Sequence, residues 1–456
     1  MASYHTVNPA TGETLTAYQP MDAATAGAVL GAAHDAQPAW AATPLADRAA
    51  LSLRLAAVLR AHKAEWARLI TLEMGKPVTE SAAEIEKCAW LCEVYADRAA
   101  GWLAEDVVEA DGRDHRVVYQ PLGVVLSIMP WNFPFWQALR FGVPTVLAGN
   151  ASVLKHARNV SGCALAIEQA FREAGFPPDV FRAVLAGHEV TAGLLDDPRT
   201  AAVSLTGSTE VGREVAARAG RRLKPAVLEL GGSDPFIVLA DCDLERTVAG
   251  AVTGRFLNSG QSCIAAKRFL VERDIADAFA ARFAEAAAAR RLGDPLDPAT
   301  EIGAVVNERE LANLEAQIAD AVDRGARVLC GGGRPDRPGC FLQPTVLADV
   351  TPDMRVWREE VFGPVAPVMA VADAEEALRL ANDTEFGLGG SVWTGDQARG
   401  EDLARRLQCG SAFVNCFVKS DPRMPFGGIK QSGLGRELSW FGLRAFTNAK
   451  GLNLYD

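Results

Sequence analysis

Short apolar runs alternate with stretches of helical period through most of this chain, and no other sequence feature constrains the fold as strongly. Strand-like runs at 117–121, 124–128, 152–155, 182–185 and 201–205 alternate with helical stretches at 135–148, 160–174 and 209–219. The pattern restarts with strands predicted at 235–239 and 267–271 and helices at 243–258 and 274–291. This alternation predicts an α/β fold with doubly wound parallel sheets, after a helical layer at 22–42, 46–73 and 78–104.

Composition restricts the class of protein. The 456 residues are too many for one ordinary core, so we expect two or three domains. A net charge of -11 argues against a nucleic-acid partner. The N-terminus lacks a signal-peptide pattern and no apolar run approaches ~20 residues, so we expect a cytoplasmic protein without a membrane partner. Nine cysteines without metal-ligand spacing favour reduced thiols and no metal site.

Cys263 is the candidate nucleophile. It ends the segment Asn258-Ser-Gly-Gln-Ser-Cys263, whose small and polar residues differ from the apolar neighbours of a buried structural thiol. A free thiol with a pKa of ~8.5 is mostly protonated at neutral pH, so it needs a base and a group that holds the oxyanion.

Two segments offer these partners. Asn132 lies in a loop stiffened by Pro130 and Pro134, where its amide N–H would suit an oxyanion; the alternative is a Trp/Phe loop that packs on a core. Glu229 lies in an apolar strand, and is either a structural ion-pair member or a base with a raised pKa. None of the six histidines is next to Cys263 in sequence, which makes Glu229 the preferred base, although a Cys–His pair formed by folding stays open.

A strand-to-helix turn at Leu205-Thr-Gly-Ser208 is a candidate phosphate site. Ser208 is predicted at a helix N-terminus, where free backbone N–H groups favour a pyrophosphate, and Gly207 would let the ligand come close. The alternative is an ordinary helix cap, and the GxGxxG fingerprint is absent.

Together these segments resemble the aldehyde dehydrogenase superfamily over nearly the whole chain, from Asn8 to Leu438. The matching motifs, in the family's order, are the PWNFP loop at 130–134, Lys155 in the next strand, TGSTEVG at 206–212, LELGG at 228–232, GQSC at 260–263, EEVFGP at 359–364 and PFGGIKQSGLGR at 425–436. Within the superfamily, the chain is most similar to the bacterial succinate-semialdehyde dehydrogenases.

The resemblance implies residue roles. Cys263 would attack the aldehyde, Asn132 and the Cys263 N–H would hold the oxyanion, and Glu229 would activate water to hydrolyse the thioester. The implied cofactor contacts are Ile128, Met129, Pro130, Trp131, Lys155, His156, Ala157, Arg158, Gly187, Thr206, Gly207, Ser208, Val211, Leu230, Glu360 and Phe362. Within this set, Lys155 would bind the adenosine ribose, and Glu360 and Phe362 would place the nicotinamide ribose.

Arg158 bears on the choice of cofactor. It stands three residues after Lys155, where NAD-preferring members of the family usually carry a glutamate that bonds the ribose 2′-hydroxyl. Arginine can instead pair with a 2′-phosphate, which favours NADP over NAD. The alternative is an Arg158 that points to solvent with a loose choice of cofactor.

Arg140 is the candidate for binding a distal substrate carboxylate, because its position matches a carboxylate-binding arginine of the succinate-semialdehyde branch. A surface ion pair is the alternative. Leu257 replaces a second arginine of some members, so a second cation would have to come from Arg255, Lys267, Lys419 or Arg423. An apolar tunnel is predicted to be lined by Trp136, Phe135, Phe417 and Trp131.

No local disulfide is expected at the nucleophile, because Ala265 replaces a redox-partner cysteine that part of this branch carries two residues after it.

The family architecture implies two Rossmann-like doubly wound domains plus a small β oligomerisation arm. The boundaries expected here are 1–109 and 128–231 for the cofactor domain, to which 425–444 returns, 232–424 for the catalytic domain, and 110–127 with 445–456 for the arm. The arm would pair strands across a homodimer or within a homotetramer.

The activity expected is NAD(P)-dependent oxidation of succinate semialdehyde to succinate. Three alternatives stay open. The same chemistry could act on glutarate semialdehyde or on an uncharged aliphatic or aromatic aldehyde. The nucleophile and base could serve a cofactor-independent esterase, or the chain could be a non-catalytic structural relative.

Overall fold

A computed structural model describes residues 3–456, whose strands form four sheets. The strands are β1 (Tyr4–Val7), β2 (Thr14–Tyr18), β3 (Asp106–Val107), β4 (Asp114–Pro121), β5 (Val124–Met129), β6 (Ala151–His156), β7 (Phe181–Ala183), β8 (Thr200–Thr206), β9 (Ala226–Glu229), β10 (Asp234–Val238), β11 (Ala266–Glu272), β12 (Arg327–Cys330), β13 (Thr345–Ala348), β14 (Val365–Val371), β15 (Gly389–Trp393), β16 (Ser411–Val414), β17 (Gly433–Leu434) and β18 (Thr447–Leu454).

Helices cover the two large sheets and form the N-terminal layer. They are α1 (Ala23–Ala42), α2 (Leu45–Ala61), α3 (Lys63–Met74), α4 (Val78–Trp102), α5 (Pro134–Leu147), α6 (Ser161–Glu173), α7 (His188–Asp196), α8 (Thr209–Arg221), α9 (Leu244–Phe256), α10 (Arg273–Ala288), α11 (Glu308–Asp323), α12 (Arg355–Arg358), α13 (Ala374–Asn382), α14 (Gln397–Arg406) and α15 (Ser439–Arg444). None of the helices in the described chain is long and apolar enough to cross a membrane.

The helical layer has one break that the sequence pattern does not reveal. The single helix predicted over 46–73 is two helices, α2 and α3, which meet at His62. His62 has φ -95° and ψ 10°, outside regular helical geometry, and its ring contacts Glu65 and Glu173. The apolar period continues through both helices, so it hides the change of direction.

The first large sheet has six strands in the order β17-β9-β8-β5-β6-β7. All neighbouring strands are parallel except β17, which pairs antiparallel with β9. Four strands of this sheet end next to predicted site residues. β5 precedes the Asn132 loop, β6 ends just after Lys155, β8 precedes Ser208, and β9 ends at Glu229. Ligands of doubly wound folds bind at this edge, where parallel strands end.

The second large sheet has seven strands in the order β12-β13-β14-β11-β10-β15-β16, parallel except for β12. It begins at Asp234, directly after the first sheet's β9 ends at Glu229. Cys263 lies between α9 and β11 of this unit. The prediction of a doubly wound α/β fold is confirmed.

A three-stranded sheet, β18-β4-β3, extends from the two large sheets. β18 pairs antiparallel with β4 from Thr447 opposite Pro121 to Leu454 opposite Asp114. The arm predicted over 110–127 is too long, because residues 124–127 belong to β5 and pair with β6 and β8. Most of β18 is exposed, and its outer edge has no partner strand within residues 3–456, so pairing with a second copy stays a prediction.

Candidate active site

Cys263 follows a tight, strained loop at the end of α9. Asn258 and Ser259 both have left-handed backbone conformations, with φ 57° and 53°. Gly260 also has a positive φ of 74°, and a Cβ at this position would collide with the carbonyl of Gly363. Such strain persists only where the surroundings fix it, and it is common at functional sites.

Hydrogen bonds to the β5–α5 loop and to α4 hold this strained loop in place. The Asn258 amide Nδ2 donates to the carbonyl of Asn132 at 2.8 Å, and the Asn132 amide Nδ2 donates to the carbonyl of Gln261 at 3.1 Å. The backbone N–H of Asn258 donates to Glu80 Oε2 at 2.7 Å. The structure therefore brings the Asn132 amide to the loop that carries Cys263, as an oxyanion donor requires.

Helix α4 supplies a support for the Asn132 loop that the sequence analysis missed. Buried Glu84 Oε1 accepts the backbone N–H groups of Phe135 and Trp136, each at 2.8 Å, at the start of α5. Glu84 also pairs with buried Lys76, whose Nζ donates to the Asn132 carbonyl at 3.4 Å. Glu84 on α4 and Lys76 just before that helix were the available signal, since charged residues rarely lie buried without a partner.

Cys263 lines a cavity of about 190 Å³ between the two large units. A single water needs only roughly 10–15 Å³ on this measure, so the cavity is large enough for a small ligand. Its lining is mostly apolar and includes a few charged side chains; the lining includes Phe133, Trp136, Phe417, Phe426, Ile264, Leu257, Glu80, Glu84, Lys87, Arg140 and Lys419.

Two of the predicted wall residues, Trp136 and Phe417, line this cavity, and Phe135 does not. Phe135 is fully buried and stacks on Trp66 with ring centroids 5.5 Å apart. The prediction is wrong for Phe135 because this residue, in the first turn of α5, lies on the helix face that packs against the helical layer. Phe133, to which the sequence analysis assigned no role, lies just outside the helix and takes the place in the wall.

Arg140 lies at the cavity on the same face of α5 as Trp136. The alternative of a surface ion pair is wrong, because only 1% of Arg140 is exposed. Its guanidinium forms an ion pair with buried Glu437, lies 4.6 Å from the ring centroid of Phe426 and donates to Thr206 Oγ1 at 3.4 Å. Its charge is therefore already balanced within the protein.

Glu229 is buried at the end of β9, with 2% of its surface exposed. Neither carboxylate oxygen accepts a hydrogen bond from the described residues. Burial raises the pKa of Glu229 well above its usual value, neighbouring Glu437 raises it further, and Arg140 and Arg436 oppose the shift. A carboxylate in such surroundings takes up a proton readily, as a general base must.

The residues predicted to bind a pyrophosphate surround open space. Ser208 caps α8 and accepts the N–H of Val211 at 3.4 Å, while a Cβ built on Gly207 meets no atom within 4 Å. Lys155 Nζ has no acidic partner among the described residues, and burial together with nearby Arg158 lowers the Lys155 pKa to about 8. Arg158 is exposed and lies 5.3 Å from the ring centroid of Tyr4.

His156, predicted as a cofactor contact, uses its ring within the protein. Its Nε2 donates to the carbonyl of Pro134 at 2.8 Å, and its Nδ1 accepts the N–H of Ala157 at 3.0 Å. Burial lowers the pKa of this histidine to about 4, so the ring is neutral. Both ring nitrogens are used within the protein, so the ring holds the Asn132 loop, and a cofactor contact of His156 stays a prediction that its ring nitrogens would not serve.

Comparison with known proteins decides the family. Residues 2–452 match the model described as the aldehyde dehydrogenase family. The chain belongs to this family. It is 46% identical over 445 residues to a probable NADP(+) succinate-semialdehyde dehydrogenase of Synechocystis, with 98% of each chain covered. It is 46% identical over 442 residues to the NAD(P)+ succinate semialdehyde dehydrogenase of Escherichia coli, covering 97% of this chain and 96% of that one.

A solved structure shares the fold of this aldehyde dehydrogenase. The succinic semialdehyde dehydrogenase of Streptococcus pyogenes, crystallised with NADP+ as the cofactor, superimposes with a TM-score of 0.97 at 34% identity. The match covers 99% of this chain and 100% of that one. The resemblance inferred from the sequence motifs is confirmed.

Glu360 and Phe362, which the family resemblance places at the nicotinamide ribose, lie close to Cys263 in this aldehyde dehydrogenase. Glu360 Oε1 pairs with Lys267 Nζ at 2.9 Å, and the same Nζ donates to the carbonyl of Cys263 at 2.7 Å. Phe362 meets Trp131 edge to face, with ring centroids 5.7 Å apart. The first contact joins Glu360 to the loop of the nucleophile through Lys267, and the second joins Phe362 to the loop that carries Asn132.

Most of the cations considered for a second carboxylate contact are not available in the enzyme. Arg255 donates to four backbone carbonyls, at 2.6 to 3.4 Å, and Lys267 is paired with Glu360. Arg423 is exposed and paired with Asp421 at 2.6 Å. Of the four candidate cations, only the exposed Lys419 therefore lies at the cavity without a described acidic partner. Lys87 of α4, which the sequence analysis did not consider, also lines the cavity.

The thiol of Cys263 is expected to react slowly with iodoacetamide at neutral pH when no cofactor is present. Burial raises its pKa to about 12, although Lys267 and Arg140 oppose the shift. Because only the thiolate reacts, the alkylation rate should rise about tenfold per pH unit up to roughly pH 10. Mass spectrometry of the Cys263 peptide measures this rate, and a rate already constant at pH 7 would mean that the thiolate exists in the resting enzyme.

Proposed function

We propose that this aldehyde dehydrogenase oxidises succinate semialdehyde to succinate, with NADP as the preferred acceptor and NAD as a weaker one. The observation that carries the proposal is one small cavity that combines Cys263, aromatic walls and the basic side chains Arg140 and Lys87. A semialdehyde needs a nucleophile at its carbonyl end and positive charge at its carboxylate end. The names of the bacterial relatives support the same substrate class.

The residues around Gly207 fit a dinucleotide with a 2′-phosphate. The open space in front of Gly207 and the free N–H groups of the first turn of α8 suit a pyrophosphate. Lys155 would hold the adenosine ribose, and exposed Arg158 would pair with the 2′-phosphate. When bound, NADP supplies the acceptor for the two electrons and the hydrogen that leave the aldehyde carbon.

In the first stage, the thiol proton of Cys263 passes to water, and the Cys263 sulfur bonds to the aldehyde carbon as the carbon–oxygen double bond opens. The negative charge that develops on the aldehyde oxygen would be held by the Asn132 amide and the Cys263 N–H. A donor of this kind contributes about 3 kcal/mol to the transition state because it is already oriented. The hydrogen bonds from Asn258 and Lys76 to the Asn132 carbonyl fix the loop that positions this amide.

In the second stage, water breaks the thioester that remains on Cys263. Glu229 would take one proton from the water, whose oxygen bonds to the acyl carbon as the carbon–sulfur bond breaks. Succinate then leaves, and Cys263 recovers its sulfur electrons. The buried surroundings of Glu229 suit this role because they stabilise its protonated form.

Reversing the charge of Arg158 is expected to change the cofactor preference. In the Arg158→Glu enzyme, kcat/KM with NADP divided by kcat/KM with NAD should fall about 10- to 100-fold, because a charge-assisted bond to phosphate is replaced by repulsion. Arg172→Glu makes the same charge change at an exposed position of α6 and should leave the ratio unaltered. An unchanged ratio in Arg158→Glu would instead place Arg158 in solvent.

Initial rates test the proposed substrate. We would measure kcat/KM for succinate semialdehyde, glutarate semialdehyde, butanal and benzaldehyde, each with NADP and with NAD. The proposal requires succinate semialdehyde with NADP to be the best pair. Preference for butanal or benzaldehyde would overturn the substrate and keep the chemistry, while ester hydrolysis without cofactor at a comparable rate would favour an esterase.

A further inference from the structure

Lys87 brings an unbalanced positive charge to the cavity that contains Cys263. Its Nζ donates to Ser420 Oγ at 2.7 Å and lies 4.2 Å from the ring centroid of Trp136. Ser420 and Trp136 both line the same cavity. An ammonium has three N–H donors, so Ser420 and the ring of Trp136 leave donor capacity for a ligand.

No carboxylate of the described chain forms an ion pair with Lys87. The acidic groups that influence it, Glu84 and Asp421, are themselves paired with Lys76 and Arg423. Burial, together with nearby Arg140, lowers the pKa of Lys87 to about 8. A half-buried ammonium without a counter-ion is costly, and an anionic ligand in the cavity would remove that cost.

Arg140 differs from Lys87 in this respect. The ion pair with Glu437 and the contact with Phe426 balance and cover its guanidinium. An anion near Arg140 would therefore compete with Glu437, whereas an anion near Lys87 would have no internal competitor. Lys419, the other lysine at the cavity, is exposed and keeps its hydration.

We infer that Lys87, together with Ser420, is the main binding site for the distal carboxylate of the substrate and determines the preference for ω-semialdehydes over uncharged aldehydes. The inference rests on the proposed function, which it deepens by naming the specificity residue. Trp136 contributes by holding the Lys87 stem and ammonium at the cavity wall.

The test compares a charged and an uncharged four-carbon substrate. Lys87→Met keeps the length of the side chain and removes its charge, and we expect kcat/KM for succinate semialdehyde to fall about 10- to 100-fold. The value for butanal should stay within about threefold of the native enzyme. Lys87→Arg, which keeps the charge, should recover most of the preference, and Lys63→Met is a matched control on α3, outside the cavity.

The outcomes separate this inference from the proposed function. If the native enzyme prefers butanal, the proposed substrate fails before any variant is made. If the native enzyme and Lys87→Met both oxidise succinate semialdehyde equally well, only the role of Lys87 fails. Equal losses for both substrates in Lys87→Met would likewise overturn it and assign Lys87 to structural support of the cavity.

A measurement on the native enzyme tests the same inference without any change to its fold. Lys87 loses its charge as the pH rises through about 8, so KM for succinate semialdehyde should rise above that pH while KM for butanal stays constant. The other charged groups facing Lys87 are Arg140, Glu84 and Asp421, with the thiol of Cys88 beside it. In Lys87→Arg the rise should disappear, and a rise that persists in that variant would assign the titration to another group.

Discussion

Cys263→Ala is expected to abolish aldehyde oxidation, with kcat lower by at least about 10⁴-fold for every aldehyde tested. Loss of a catalytic nucleophile has effects of this size because the remaining groups of the site cannot replace the covalent step. Stopped-flow absorbance of the reduced cofactor provides the measurement, and it should detect neither a burst nor a steady rate.

Two controls make this result specific to the nucleophile. The Cys263→Ala protein should bind NADP as the native enzyme does, since the thiol is not among the predicted contacts of the cofactor. Cys340→Ala removes another half-buried thiol outside the cavity and should keep native activity. Residual oxidation above one part in ~10⁴ by Cys263→Ala would contradict covalent catalysis.

Each candidate catalytic residue could be selected from the sequence of its own segment. Small polar neighbours single out Cys263, two prolines frame Asn132, and a carboxylate in an apolar strand singles out Glu229. Each signal is local because the backbone conformation that presents the group is built by its own neighbours. The strained loop at Asn258 and Ser259 is one example, since Gly260 alone permits its close approach to Gly363.

Contacts between distant segments were not predictable in the same way. Arg140 meets Glu437, and Lys87 meets Ser420, only after folding brings α5 and α4 to the C-terminal segments. Helical period placed Trp136 and Arg140 correctly on one face. It did not reveal that α5 begins at Pro134, so that Phe135 turns into the core and Phe133 faces the cavity.

The Glu229→Gln enzyme is expected to reduce about one equivalent of cofactor per subunit in a rapid first turnover. Its steady-state rate should then be about 10²- to 10³-fold below that of the native enzyme. The amide keeps the size of the side chain and removes its ability to accept a proton, so the first stage should proceed and thioester hydrolysis should stall. Neither Glu229 oxygen accepts a hydrogen bond from the described residues, so the substitution removes none and the variant should fold. Rapid mixing measures the burst, and hydroxylamine should release the trapped acyl group.

The pH dependence distinguishes a base from a merely buried carboxyl. Because the pKa of Glu229 is raised, the group is protonated at low pH and becomes a base only as the pH rises through that raised value. Turnover of the native enzyme should therefore increase with pH, and the slow turnover of Glu229→Gln should lose this dependence. Glu73→Gln is the matched control: Glu73 is also buried with a pKa raised to about 7, but it accepts the N–H groups of Gly162 and Cys163 outside the cavity. That variant should show no burst, and a Glu229→Gln enzyme that also lacks the burst would assign Glu229 to deprotonation of Cys263 instead of water.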